Sequence, residues 1–319
     1  MNNKKIIEKI DKEIKHNSIP LYYKKYKPSK KIRDEIINYK KPFDQHFCNL
    51  LNKYVKPYHH HTHIDCNFKN IDNYKGKYKI SHLPKKLQEY FYTTRPPSEF
   101  YYDNKTKIGK IVFYKFFLDS KNTKDTIEKD YINHIKAIQT FLSKHKFRGL
   151  ILDLRFHLGG DMWPTIYGFQ SILANVPFLI FTKDDKVKKN DLYLTIDDKP
   201  FTSINKMRLK PIKMKENKIN TDYPISIIIG EYTYSSGEII SAIFAGKKNV
   251  KIFGKKSGGG LSANDTIPIT KNITLILTTS LVRLTNGKFK EYLIPDKITN
   301  SPITDAKKWI IKYNKHFTK

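Results

Sequence analysis

Two short and almost uninterrupted apolar runs constrain this chain most: Gly149-Leu-Ile-Leu-Asp-Leu-Arg155 and Pro224-Ile-Ser-Ile-Ile-Ile-Gly230. A strand with one face in water alternates apolar and polar residues. These runs do not alternate, so each reads as a strand buried on both faces. Such strands need helices around them, and the sequence supplies candidates. Gly159-Gly160 turns the first run into a predicted helix over Met162–Leu173, and a helix over Ser236–Ala245 follows the second run, ahead of a strand at Val250–Gly254. Upstream, the apolar run Ile108–Phe117 precedes a helix on which Ile127, Tyr131, Ile135, Ile138 and Leu142 share one face. Predicted strands at Ile273–Thr279 and Leu281–Leu284 and a helix near Ala306–Tyr313 complete an α/β core expected over residues 105–319.

Residues 1–104 follow another pattern. Ile6, Ile7, Ile10 and Ile14 keep helical spacing, Ile32, Ile36, Ile37 and Tyr39 mark a second helix before Pro42, and Phe43–Tyr54 forms a third that Pro57 stops. The stretch from Pro57 to Phe68 then reads as a loop feeding a short strand. A mainly helical N-terminal segment therefore precedes the core, within a chain of 319 residues that is ample for one large or two modest domains.

Composition narrows the function classes. Lys and Arg number 60 against 30 Asp and Glu, a formal charge of +30 that attracts phosphate backbones. The lysines are spread over the whole chain, however, and accompany abundant Asn and Ile. No nucleic-acid module is recognisable, so a basic nucleic-acid-binding protein is the weaker alternative. No apolar run approaches the roughly 18 to 20 residues that cross a bilayer. The first residues, MNNKKIIEKIDKEIKHN, carry charges every few positions and lack the apolar region of a signal peptide. A cytoplasmic protein without a membrane partner is the expectation. Cys48 and Cys66 are too few for a disulfide framework, and both are expected as free thiols in a reducing compartment.

Two clusters carry chemistry. Ser235 and Ser236 stand at the first turn of the predicted Ser236–Ala245 helix, where backbone N–H groups and the positive end of the helix dipole favour a developing oxyanion. The competing reading is an ordinary serine N-cap, with Glu238 nearby. A serine hydroxyl needs a base, and His59-His60-His61-Thr62-His63 is the densest supply of imidazole. Alternation in a strand puts His59, His61 and His63 on one face, an arrangement that also suits zinc. No Glu follows at zincin spacing, and no Cys or Asp partners accompany the tract, so no metal site is assigned and no cofactor is expected.

Together these segments resemble peptidase family S41, the C-terminal-processing and tricorn-like proteases, over roughly residues 55 to 300. Gly149 to Gly160 resembles the family's strand and Gly-Gly turn, and Asp161-Met-Trp-Pro164 extends it. Ser235-Ser-Gly-Glu238, Phe253-Gly254, Ser257-Gly-Gly-Gly-Leu-Ser-Ala-Asn264 and Ile294-Pro-Asp296 follow in the family's order. The resemblance implies a ClpP/crotonase-like spiral of ββα units preceded by a helical segment. It also implies a serine endopeptidase acting on a peptide or unfolded protein, with Ser235 as nucleophile.

The resemblance further separates two mechanisms. Where the Ser-Lys branch carries its lysine this chain has Gly260, and Lys255 and Lys256 belong to the preceding strand end. The tricorn-like branch takes a histidine from an upstream His-Ser or His-Thr motif, which His61-Thr62 matches, so His61 is the implied base. Its imidazole is expected within about 3 to 4 Å of Ser235 Oγ. Glu291 is near the place of the branch's orienting acid, two residues out of register, and the seryl hydroxyl expected before the histidine is replaced by His60. The oxyanion hole is implied at the backbone N–H of Ser236 with Gly159 or Gly160. The stretch from His63 to Ile108 is too short for the PDZ domain common in the family. An S41-like pseudo-protease that binds peptides without cutting them is the second alternative.

Overall fold

The computed structural model describes residues 2–66, 97–114, 124–173, 179–183, 222–284 and 291–317, with residues 85, 88, 192–194, 202–204 and 207–208 between them. Most of the segment from His63 to Ile108, and with it the question of a PDZ domain, lies outside the described residues. The fold class is mixed α/β with helices at the N-terminus. The chain forms two compact units, one of residues 1–83, 180–192 and 262–289, the other of residues 84–179, 193–261 and 290–319. This differs from a division by chain order at residues 104 and 105, because the hairpin beyond residue 261 packs on the N-terminal helices.

In the first unit the helices are Asn3–Asn17, Pro20–Lys25, Lys30–Ile37 and Gln45–Val55. Their starts are chemically specified. The Asn2 side chain accepts the Lys5 N–H at 2.9 Å, and Asp44 Oδ1 accepts that of Phe47 at 2.8 Å, each satisfying an amide that has no carbonyl partner in the first turn. Ile6, Ile7, Ile10 and Ile14 share a buried cluster with Leu50, Leu51, Tyr54 and Val55, and with Ile269, Ile273, Leu275 and Leu277. The last four come from the antiparallel strands Ser262–Thr270 and Ile273–Leu284. The longer strand also pairs antiparallel with His63–Cys66, His63 facing Ile276 and Cys66 facing Ile273.

Cys48 and Cys66 form a disulfide. The expectation of free thiols is overturned, because the Gln45–Val55 helix and the His63–Cys66 strand bring the two side chains together, a proximity that counting cysteines could not reveal. Asn52 reinforces the same junction: its side-chain amide bonds the N–H and the C=O of Ile64, both at 2.9 Å.

The second unit is built on a sheet whose strands run in the order Lys297–Ile298, Val250–Gly254, Ile225–Ile229, Gly149–Asp153, Ile108–Phe113 and Ser98–Asp103. All neighbours are parallel except the last pair. Every residue of Gly149–Asp153 and of Ile225–Ile229 is buried, as their unbroken apolar character requires. Ile151, Ile228 and Phe253 pack with Ala306 and Ile310 of the Pro302–Phe317 helix. Gly149 is needed there, since a Cβ on it would lie 2.4 Å from Ile310.

Candidate active site

In the second unit the candidate residues gather at the carboxyl ends of two adjacent parallel strands, a common place for a site in an open α/β sheet. Beyond Ile229 the chain turns through Thr233, whose hydroxyl accepts the Gly230 N–H at 2.9 Å and donates to the Leu154 carbonyl at 2.8 Å. Tyr234 N–H then donates to the His157 carbonyl at 3.0 Å. The loops after the two strands are thus tied together just before Ser235.

Ser235 has φ 53° and ψ −118°, a left-handed conformation that an L residue adopts at a cost of about 1–3 kcal/mol. It is half-buried and opens the Ser236–Phe244 helix, whose residues are all buried. Gly159, with φ +110°, lies against it: a Cβ added there would be 3.1 Å from Ser235 Cβ and 3.7 Å from Ser235 Oγ. Gly160 also has a positive φ, +106°. The Gly159 N–H points to His157 Nδ1 at 3.3 Å. His157 is buried, and burial, with His134 adding to it, holds its pKa down at about 3, so its ring is neutral and can accept that bond.

Glu238 organises the surroundings of Ser235. Its carboxylate, fully buried, accepts the Ser235 N–H at 3.0 Å, the Ser257 hydroxyl at 2.5 Å, and the Gly259 and Gly260 N–H groups at 3.0 and 2.5 Å. Burial raises its pKa, while the four donors pull the other way. The glycines let the 257–260 loop close in: a Cβ on Gly260 would be 3.1 Å from the Ser235 nitrogen. Gly260, at the place of the Ser-Lys branch's lysine, spends its amide on Glu238, and Lys256 Nζ lies 3.5 Å from the centre of the Tyr292 ring. Glu291 is exposed, and its carbonyl accepts the Leu261 N–H at 3.3 Å.

In the first unit His61 occupies the turn that enters the His63–Cys66 strand. It is buried, and its Nδ1 lies 2.7 Å from Ser262 Oγ, which is also buried. The His61 N–H donates to His59 Nδ1 at 3.2 Å, and the Asn264 side chain reaches the His61 carbonyl at 3.4 Å. The three alternate histidines do not converge. His59 Nδ1 meets Thr278 Oγ1 at 3.1 Å, while His63 Nε2 is 3.4 Å from Asp65. Burial, then the neighbouring His60, keeps His59 neutral, with a pKa pushed down to about 3. Among the described residues no group of three or more His, Cys, Asp or Glu is arranged to hold a metal ion.

Sequence reasoning missed two of these roles. In the sequence Glu238 reads only as a possible capping partner, although its place three residues into a helix, beside a serine and ahead of a Gly-Gly-Gly loop, is a usable signal. Ser262 stood inside a recognised motif without a role, because no local pattern ties it to a histidine 201 positions away.

Peptidase family S41 is the family whose model matches the chain, over residues 107–298, more than half its length. The chain belongs to peptidase family S41. The nisin-resistance protein of Lactococcus lactis subsp. lactis is 32% identical over 188 residues, 58% of this chain and 56% of that protein. The carboxy-terminal-processing protease of Bartonella bacilliformis is 26% identical over 176 residues, 54% and 36% of the two chains. This S41 chain thus spans about half, or less, of the length of these curated relatives. Among solved structures, a lipoprotein from Streptococcus agalactiae superposes with a TM-score of 0.70 at 21% identity, covering 98% of this chain and 97% of the other. A putative peptidase from Parabacteroides merdae does so with a TM-score of 0.54 at 14% identity, covering 99% and 96%. These likenesses bear on the fold. Among the described residues no helix is long and apolar enough to cross a membrane.

Proposed function

We propose that the chain is a serine endopeptidase in which Ser235 attacks the peptide carbonyl and His61 takes its proton. The observation that carries this is the strained backbone of Ser235 at a helix start, held by Glu238 with Gly159 packed beside it. Ser235 and Glu238 form a capping box at this helix start, yet the positive φ of Ser235 departs from the extended backbone angles that capping residues ordinarily take, so a cap alone does not account for it. Ser235 Oγ forms an ester with the acyl group, the proton passes through His61 to the leaving amine, and water then hydrolyses the ester. Oxyanion donors are proposed at the N–H groups of Ser236 and Gly160. Gly160 is preferred to Gly159 because the Gly159 amide is directed at His157. Glu291 remains the acid implied by the family pattern. No step needs a cofactor.

The substrate class is a peptide or unfolded protein, and nisin is the first compound to try, given the name of the Lactococcus relative. In place of the cytoplasm we propose an oxidising compartment. The chain carries the Cys48–Cys66 disulfide in place of two free thiols, and its structural neighbour from Streptococcus is described as a lipoprotein.

The test is labelling with a fluorophosphonate probe alongside cleavage of nisin followed by mass spectrometry. Labelling and cleavage in the wild type, both lost in Ser235→Ala and strongly reduced in His61→Ala, support the assignment. A wild type that binds peptide but neither labels nor cleaves it establishes the pseudo-protease instead.

A further inference from the structure

We infer that Ser262 is the residue that positions His61, its hydroxyl standing at Nδ1 where a hydrolase commonly has a carboxylate. The inference rests on the reading of His61 as the general base. The contact is 2.7 Å between two buried side chains, so water does not compete for it. A serine oxygen that accepts a bond from Nδ1–H fixes one tautomer, with the lone pair on Nε2, the nitrogen that must take a proton.

The geometry is set by one strand. Ile273–Leu284 pairs with His63–Cys66 on one side, and with Ser262–Thr270 on the other, where Ser262 faces Leu281 and Asn264 faces Thr278. Both ends of the hydrogen bond are therefore registered against the same backbone. Thr278 adds to this: its N–H donates to Thr62 Oγ1 at 3.0 Å, next to His61. The main chain of His61 is held on both sides by His59 and Asn264. The Ser262 hydroxyl bonds the ring itself, at Nδ1.

The hydroxyl missing at position 60 is in this way replaced from a distant part of the chain. A neutral hydroxyl supports an imidazolium less than a carboxylate does, so Ser262 is assigned orientation and tautomer and not charge compensation.

The experiment compares Ser262→Ala and Ser262→Thr with the wild type, reading the rate of fluorophosphonate labelling at Ser235, kcat and KM on nisin, and the thermal midpoint. Ser262→Ala is expected to lower the labelling rate and kcat on the order of 10- to 100-fold with KM unchanged, part of the 10²- to 10⁴-fold that general acid–base catalysis commonly supplies. Ser262→Thr, which restores a hydroxyl, should recover most of the loss. Unchanged labelling and kcat in a folded Ser262→Ala protein overturn the assignment, and so does a Thr variant that folds yet stays as slow as Ala. Should Ser262→Ala fail to fold, ¹⁵N-histidine spectra of the wild type decide: a proton on Nδ1 of His61 supports the role, and a proton on Nε2 alone refutes it. That spectrum is independent of activity. An enzyme that His61→Ala leaves fully active overturns the reading of the base, whatever the spectrum shows.

Discussion

The fully buried carboxylate of Glu238 accepts the backbone N–H of half-buried Ser235 at 3.0 Å. The same two oxygens hold Ser257 and the amides of Gly259 and Gly260, so one side chain fixes both the serine and the glycine loop. Glu238→Gln keeps the shape but turns one acceptor into a donor facing N–H groups. It is expected to cost about 1–3 kcal/mol of stability, more if a buried amide is left wholly unpaired, and to lower kcat with it. Chemical denaturation and peptide cleavage check this.

Ser235 and Ser236 should respond in opposite ways. Ser235→Gly removes the Cβ from a left-handed position and is expected to raise stability by about 1 kcal/mol while abolishing labelling. Ser236 Oγ is buried without a hydrogen-bond partner among the described residues, so Ser236→Ala is expected to leave stability unchanged or slightly higher and activity largely intact. Thermal midpoints of the two variants give the comparison, and a labelled Ser235→Gly protein would identify the wrong serine.

Acid should unfold this protein early. Burial holds His157 and His59 at a pKa of about 3 and His134 at about 4, against an ordinary 6.5. Below pH 6.5 the unfolded chain binds protons that these folded rings refuse, so the stability they contribute is complete above 6.5. It is lost progressively as pH falls toward 4 and 3. Denaturant midpoints measured between pH 8 and 4 should decline throughout the lower half of that range, and His157→Gln should flatten the decline. A flat profile in the wild type counts against buried neutral histidines.

The disulfide makes a separate, redox-dependent prediction. It closes a loop with a sequence separation of 18 that contains His59, His60 and His61, and a cross-link of that span contributes roughly 3 kcal/mol by restricting the unfolded chain. Reduction, or the pair Cys48→Ser with Cys66→Ser, is expected to lower the thermal midpoint by several degrees and to slow cleavage. Mass spectrometry after alkylation without reductant should find no modified cysteine in the untreated protein.

The parts of this structure legible in the sequence are those fixed by local periodicity and by turn chemistry. The buried strands 149–153 and 225–229 announced themselves through unbroken apolar residues, and the N-terminal helices through isoleucines at helical spacing. The predicted strand pair at 273–279 and 281–284 is one strand, Ile273–Leu284, because Ser280 continues the ladder opposite Ala263. The predicted helix over Met162–Leu173 is shorter, Trp163–Gly168, followed by a single tight turn at Gln170–Ile172. Tertiary pairings left no local trace. Cys48 with Cys66, Glu238 with the 257–260 loop, and His61 with Ser262 depend on which elements fold together, and residue order alone does not carry that information.

The separation of His61 from Ser262 has a consequence during synthesis. A ribosome adding 5–20 residues per second needs roughly 10–40 s to cover the 201 positions between them. Until the hairpin beyond residue 261 emerges, the histidine turn lacks its backbone template, its Thr278 partner and its hydroxyl, whereas Ser235, Glu238 and the 257–260 loop are already synthesised. In a nascent chain the surroundings of Ser235 can therefore form before the Ser262 hydroxyl is available to the His61 ring, so the two residues acquire their contacts in sequence and not together.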